Sequence, residues 1–85
     1  MGEVSITDFE DISGLKAEMV VSHLKDVPES IIVKAYMGTS PTNAEWLEAV
    51  FPDIEFRKEA QAIGRIRIEE IDEAQMAIVR TLAQK

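Results

Sequence analysis

Ser30-Ile-Ile-Val-Lys-Ala-Tyr-Met-Gly38 is the stretch whose reading decides the fold. Nowhere else in the chain do β-branched and aromatic residues crowd so closely, and such crowding suits a pleated strand. Ile31, Ile32 and Val33 would point to both faces of a sheet, so the spacing predicts a central strand with cover on both sides.

Working outward toward the N-terminus, Lys25-Asp26-Val27-Pro28-Glu29 reads as the loop before this strand, with Pro28 barring either neighbour from continuing through it. Leu15 to Leu24 supports two templates. As a strand, Leu15, Ala17, Met19 and Val21 make one apolar row while Lys16 and Glu18 face away. As a helix, Lys16 and His23 fall inside the apolar arc and no capping box precedes it, so the strand is preferred. Between Glu3 and Phe9, Val4 and Ile6 alternate with Ser5 and Thr7, which predicts a further short strand. The acidic run Asp8 to Asp11 ends it.

Working outward in the other direction, Thr42-Asn43-Ala44-Glu45 is a capping box with Pro41 before it, followed by Trp46, Leu47, Val50 and Phe51 at helical spacing. Pro52 closes that helix. Ile54 to Ala60 and Arg65 to Ile71 each alternate apolar and charged residues and read as strands. The rival for the first is a helix from Asp53 to Ile63 stopped by Gly64, which Lys58-Glu59-Ala60-Gln61-Ala62 would suit. From Asp72 to about Gln84 a closing helix is predicted, with Ile71, Ala74, Ile78 and Leu82 on one stripe and Met76, Val79 and Ala83 widening it. The resulting expectation is one α+β domain over residues 1–85. A mainly antiparallel sheet of about five strands carries two helices on one face, in the order β, β, β, α, β, β, α.

Composition narrows the function. Sixteen carboxylates against nine Lys and Arg give a formal net charge of -7, so attraction to nucleic-acid phosphates or anionic lipid runs the wrong way. No direct nucleic-acid or membrane contact is expected. There is no cysteine, which removes disulfides, thiol catalysis and thiolate-held metals. With no apolar run of signal length and no stretch near ~20 apolar residues, a cytoplasmic protein is expected.

Three features invite a chemical reading. The loop Gly38, Thr39, Ser40, Pro41, Thr42, Asn43 joins a predicted strand end to a helix start, where backbone N–H groups can hold a phosphate or carboxylate. It has no second glycine at the phosphate-loop spacing and no lysine, so the bland reading is that Thr42 caps the helix. His23 stands alone, with no nucleophile motif around it. Glu69, Glu70, Asp72 and Glu73 are the densest acidic cluster, yet the run lacks the glycine and the ligand spacing of a calcium loop. Trp46 falls on the inner stripe of its helix, so core packing suits it better than partner contact.

Without a nucleophile motif, metal box or cofactor fingerprint, the sequence points to a non-catalytic protein–protein interaction or regulatory module that needs no cofactor and no metal. Its contact surface is expected at Glu69, Glu70, Asp72, Glu73, Met76, Val79 and Ala83. The expected partner is another protein with a basic surface, and the apolar members allow a homodimer. Two alternatives stand beside this reading. One is an inhibitor that mimics nucleic-acid charge, as small phage proteins do against host defence enzymes, using the acids above with Asp8, Glu10 and Asp11. The other is a small anion or phosphate-ligand domain at Gly38 to Asn43.

Overall fold

The computed structural model describes residues 8–83, and every regular element in them is helical. A 3-10 turn over Phe9–Gly14 leads into α1 (Ala17–Leu24), α2 (Glu29–Met37), α3 (Pro41–Val50), α4 (Phe56–Ile63) and α5 (Ile68–Ala83). No strand occurs among the described residues, so the expected five-stranded α+β sheet is replaced by a helical domain.

The largest correction falls on the deciding stretch itself. Ser30 to Met37 lies within α2, with Gly38 as its C-cap, and is not a central strand. Pro28 takes the position before the helix and its carbonyl accepts the Ile31 amide at 3.0 Å. Glu29 sits in the first turn, where the helix dipole favours a carboxylate. Gly38 closes the far end with its N–H directed to the Ala35 carbonyl at 3.3 Å. Helix propensity disfavours Ile and Val by roughly 0.5 kcal/mol each, whereas burying such a side chain stabilises by about 1.5–3 kcal/mol. Ile32, Val33 and Ala35 are all buried, so packing outweighs propensity. The two-sided apolarity that suggested a covered strand belongs to a central helix with neighbours around it.

α5 lies along α2 and also meets α1 and the Phe9–Gly14 turn, while α3 packs on that turn and on α2, and α4 joins α2. Tyr36 and Phe56 stack across the α2–α4 contact with ring centroids 4.6 Å apart. Ile12, Val20, Leu24, Val33, Leu47, Phe56, Ile78 and Leu82 bring every element into one contiguous core. Gln75 donates its side-chain amide to the Ala35 carbonyl at 3.1 Å, and Lys34 pairs with Glu70 at 3.7 Å, so two polar links fix α5 against α2.

The other expected strands within the described residues give way as well. Leu15 to Leu24 contains α1, with Val20 and Leu24 buried one turn apart and Ala17 and Val21 exposed. That is the reverse of the strand reading, which placed Ala17 and Val21 in the covered row. Ile54 to Ala60 gives way to α4, ended by Gly64 as in the rival helix. Arg65 to Ile71 is not a strand either: residues 64–67 are irregular and α5 starts at Ile68, its first turn tied back to the Arg67 carbonyl. α3 begins at Pro41 with Ser40 as its cap, Ser40 Oγ accepting the Asn43 amide at 3.3 Å. Thr42 therefore lies inside the helix instead of capping it. The expected strand from Glu3 to Phe9 falls mostly outside the described residues, and its final residue, Phe9, begins the 3-10 turn.

Candidate functional site

The loop between α2 and α3 already holds a carboxylate, and the chain supplies it. Asp8 caps the 3-10 turn by accepting the Glu10 amide at 3.2 Å, which sets Glu10 opposite the start of α3. There Glu10 Oε1 accepts from Asn43 Nδ2 at 2.9 Å, the Glu10 backbone carbonyl accepts from the same nitrogen at 3.1 Å, and Glu10 Oε2 accepts from Thr39 Oγ1 at 3.1 Å. Asn43 is only 2% exposed and is the buried polar residue of the described chain. Of the loop residues proposed for an external anion, Thr39 and Asn43 thus serve Glu10, Ser40 serves the α3 cap, and Thr42 faces solvent. Gly38 lies against Ile71, whose Cγ2 occupies the space a Cβ would need.

The acidic and apolar residues proposed for partner contact all fall on α5, and five of the seven are on its outer side. Glu69, Glu73, Met76 and Ala83 recur at three- and four-residue spacing with Arg80 among them, and all are exposed. Asp72 is also exposed, Glu70 is half-buried beside Lys34, and Val79 is half-buried against the core. Where α5 meets the 3-10 turn, Asp8, Phe9, Asp72, Gln75, Met76 and Val79 line an open cleft of about 300 Å³. Asp8 and Asp72, from the two acidic patches of the sequence, share that cleft. The buried face of the same helix is carried by Ala74, Ile78 and Leu82, so packing fixes α5 without using its outer side.

A second polar cluster escaped the sequence reading. Tyr36 Oη donates to Glu48 Oε2 at 2.5 Å, and Arg57 Nε approaches the same oxygen at 3.5 Å. The bond to Glu48, then partial burial and the Glu48 charge, push the phenol above its ordinary value of 10.0, with Arg57 opposing. Chemistry at a tyrosine needs its proton to leave more readily, and this setting holds it more firmly. The cluster is a clasp between α2, α3 and α4. Its signal, a Tyr and a Glu twelve residues apart, carries no period that sequence reasoning can use.

His23 is half-buried, and its Nδ1 lies 2.9 Å from the Met19 carbonyl, an arrangement in which Nδ1 carries the proton and donates. Among the described residues no three His, Cys, Asp or Glu side chains come together as a metal site. Trp46 is half-buried and lines an open groove of about 660 Å³ between α1 and α3 together with Val21. The sequence missed this groove because the strand reading of Leu15 to Leu24 turned Val21 inward.

Residues 3–85 match the family described as the FliG C-terminal domain. Nothing matches among the curated proteins or among the solved structures.

Proposed function

The chain belongs to the FliG C-terminal domain family, and from that premise we propose that it is a non-catalytic protein-interaction module of a flagellar motor rotor, acting on the cytoplasmic side. Other proteins of the motor are then its partners. No described helix is long and apolar enough to cross a membrane. The observation that carries the reading is the outer side of α5. Ala74, Ile78 and Leu82 fix the helix from within, while Glu69, Asp72, Glu73 and Met76 stand outside on a support that need not move to be used.

The chemistry of that side selects the partner. Three exposed carboxylates around one exposed methionine suit a surface that offers cations about an apolar centre. The family gives no support to a nucleic-acid mimic, and in the Gly38 to Asn43 loop the Thr39 hydroxyl and the Asn43 side-chain amide are already engaged by Glu10, so neither alternative is carried forward.

The test is calorimetric titration of the intact chain against purified rotor and stator proteins. One of them is expected to bind, with affinity falling as salt rises, and Glu73→Lys or Met76→Glu is expected to weaken it by about tenfold or more. Absence of binding to all of them, or binding indifferent to both substitutions, overturns the reading.

A further inference from the structure

The cleft where α5 meets the 3-10 turn combines polar acceptors with an apolar floor. Asp72, Gln75, Met76 and Val79 follow the three- and four-residue spacing of one helix face, so α5 contributes a wall about 10 Å long from Asp72 to Val79. Asp8 and Phe9 supply the remaining wall from the turn. Phe9 is buried and Val79 packs against the core, so the floor is set by the fold before anything enters it.

The polar groups of this lining are acceptors. Asp8 keeps a carboxylate oxygen after its Oδ1 takes the Glu10 amide at 3.2 Å. Gln75 turns its amide nitrogen to α2, where Nε2 donates to the Ala35 carbonyl at 3.1 Å and lies beside Gly38. Its carbonyl oxygen is then the polar atom left on the cleft side. Asp72 is exposed and adds a second carboxylate. No Lys, Arg or His stands among the described residues that line the cleft. Packing, not a local run of acids, brings the two carboxylates to one cleft, and two like charges there favour the entry of a cation.

The lining also selects the kind of cation. A calcium or magnesium ion wants more oxygen ligands than this lining gives, and among the described residues no three acidic or imidazole groups gather. An ammonium group carries three donors and no acceptor, one donor for each of Asp8, Asp72 and Gln75. A methylene stem behind it suits Phe9, Met76 and Val79, as the stem of lysine suits apolar surface elsewhere. A volume of about 300 Å³ admits such a molecule, whereas a helix with side chains is about 10–12 Å across and does not enter. We propose that the cleft binds a small primary alkylamine in its ammonium form. The head is held by the two carboxylates and the Gln75 carbonyl, and the stem lies along α5 over Met76 and Val79. This inference does not rest on the motor reading, since the chain alone makes the site.

Titration of n-pentylamine into the intact chain at neutral pH, followed by nuclear magnetic resonance, tests it. Saturable shifts are expected at Phe9, Asp72, Met76 and Val79 and not on the other acidic faces of the chain. Pentyltrimethylammonium keeps the charge and the stem but has no N–H to donate, and n-pentanol keeps the stem without the charge. Each is expected to bind at least about tenfold more weakly than the amine. Asp72 and Met76 are exposed, so changes there spare the core. Asp72→Asn should weaken n-pentylamine by about tenfold, and Met76→Lys, which puts an ammonium of the chain's own into the cleft, should abolish its binding with unchanged circular dichroism. Four results each overturn the proposal: no shift at roughly 10 mM amine, shifts spread over all acidic faces, equal binding of the trimethyl analogue, or an Asp72→Asn variant that binds like the parent.

Discussion

Asn43 donates its side-chain amide to the Glu10 carboxylate across 33 residues of sequence, 2.9 Å apart, from a position that water scarcely reaches. The bond stitches the 3-10 turn to the start of α3, and it is reinforced by Thr39 on the second carboxylate oxygen. Glu10→Ala leaves both donors without that carboxylate, so a loss of about 1–3 kcal/mol is expected. Urea unfolding should show a lower midpoint at unchanged slope. A midpoint equal to that of the parent chain would show that water replaces the carboxylate at no cost.

At the far end of α2, Gly38 and Ile71 are in a tight fit where α5 approaches. Gly38→Ala places a methyl against Ile71 Cγ2 and is expected to cost about 1–3 kcal/mol through overpacking. Ile71→Ala should absorb most of that penalty, so the two changes together cost less than their sum. Additive costs in a double-mutant cycle would remove the steric explanation.

Gly64 holds φ at 75° and ψ at -144°, the only positive φ among the described residues. A side chain there is strained, and Gly64→Ala is expected to destabilise by about 1–3 kcal/mol. Gly14 is the control, since it has open space around its Cα and a negative φ. Gly14→Ala should be neutral or stabilise by about 0.4–1 kcal/mol. Thermal melts of the two variants should therefore move apart.

The single tyrosine permits a direct titration by phenolate absorbance. Its midpoint should lie above 10.0, because Glu48 holds the phenol proton and repels the phenolate. The folded value is the raised one, so this contribution to stability is fully present below pH 10 and is lost as pH climbs through the folded value. Glu48→Gln should bring the midpoint down toward the ordinary value. A Glu48→Gln midpoint equal to the parent's would assign the shift to burial alone.

The sequence carried the helices at α3 and α5 and missed the class of the fold, for reasons visible in single residues. Continuous apolar runs do not distinguish a covered strand from a surrounded helix, and Ile31-Ile32-Val33 is such a run. The better evidence was punctuation. Pro28 and Gly38 bracket a stretch of helix length, and Gly64 stands where the rival to the late strand would end. In α1 the buried pair Val20 and Leu24 is four residues apart, but the two-residue alternation from Leu15 to Val21 obscured it. On α5 the buried stripe Ala74, Ile78 and Leu82 was legible from its period, but Glu69 and Glu70 were assigned to a strand and their place in the first turn of the helix was not. The Glu10–Asn43 tie, the Tyr36–Glu48 clasp and the Val21–Trp46 groove were not legible either, since each joins elements whose relation exists only after packing.

Because Ala74, Ile78 and Leu82 close the core from the last described helix, the order of synthesis opposes the order of burial. A nascent chain that has emerged only as far as α4 presents Ile32, Val33 and Ala35 with their main covering surface still inside the ribosome. Full burial of α2 must therefore wait for α5, and until it appears the apolar face that α5 covers stays exposed.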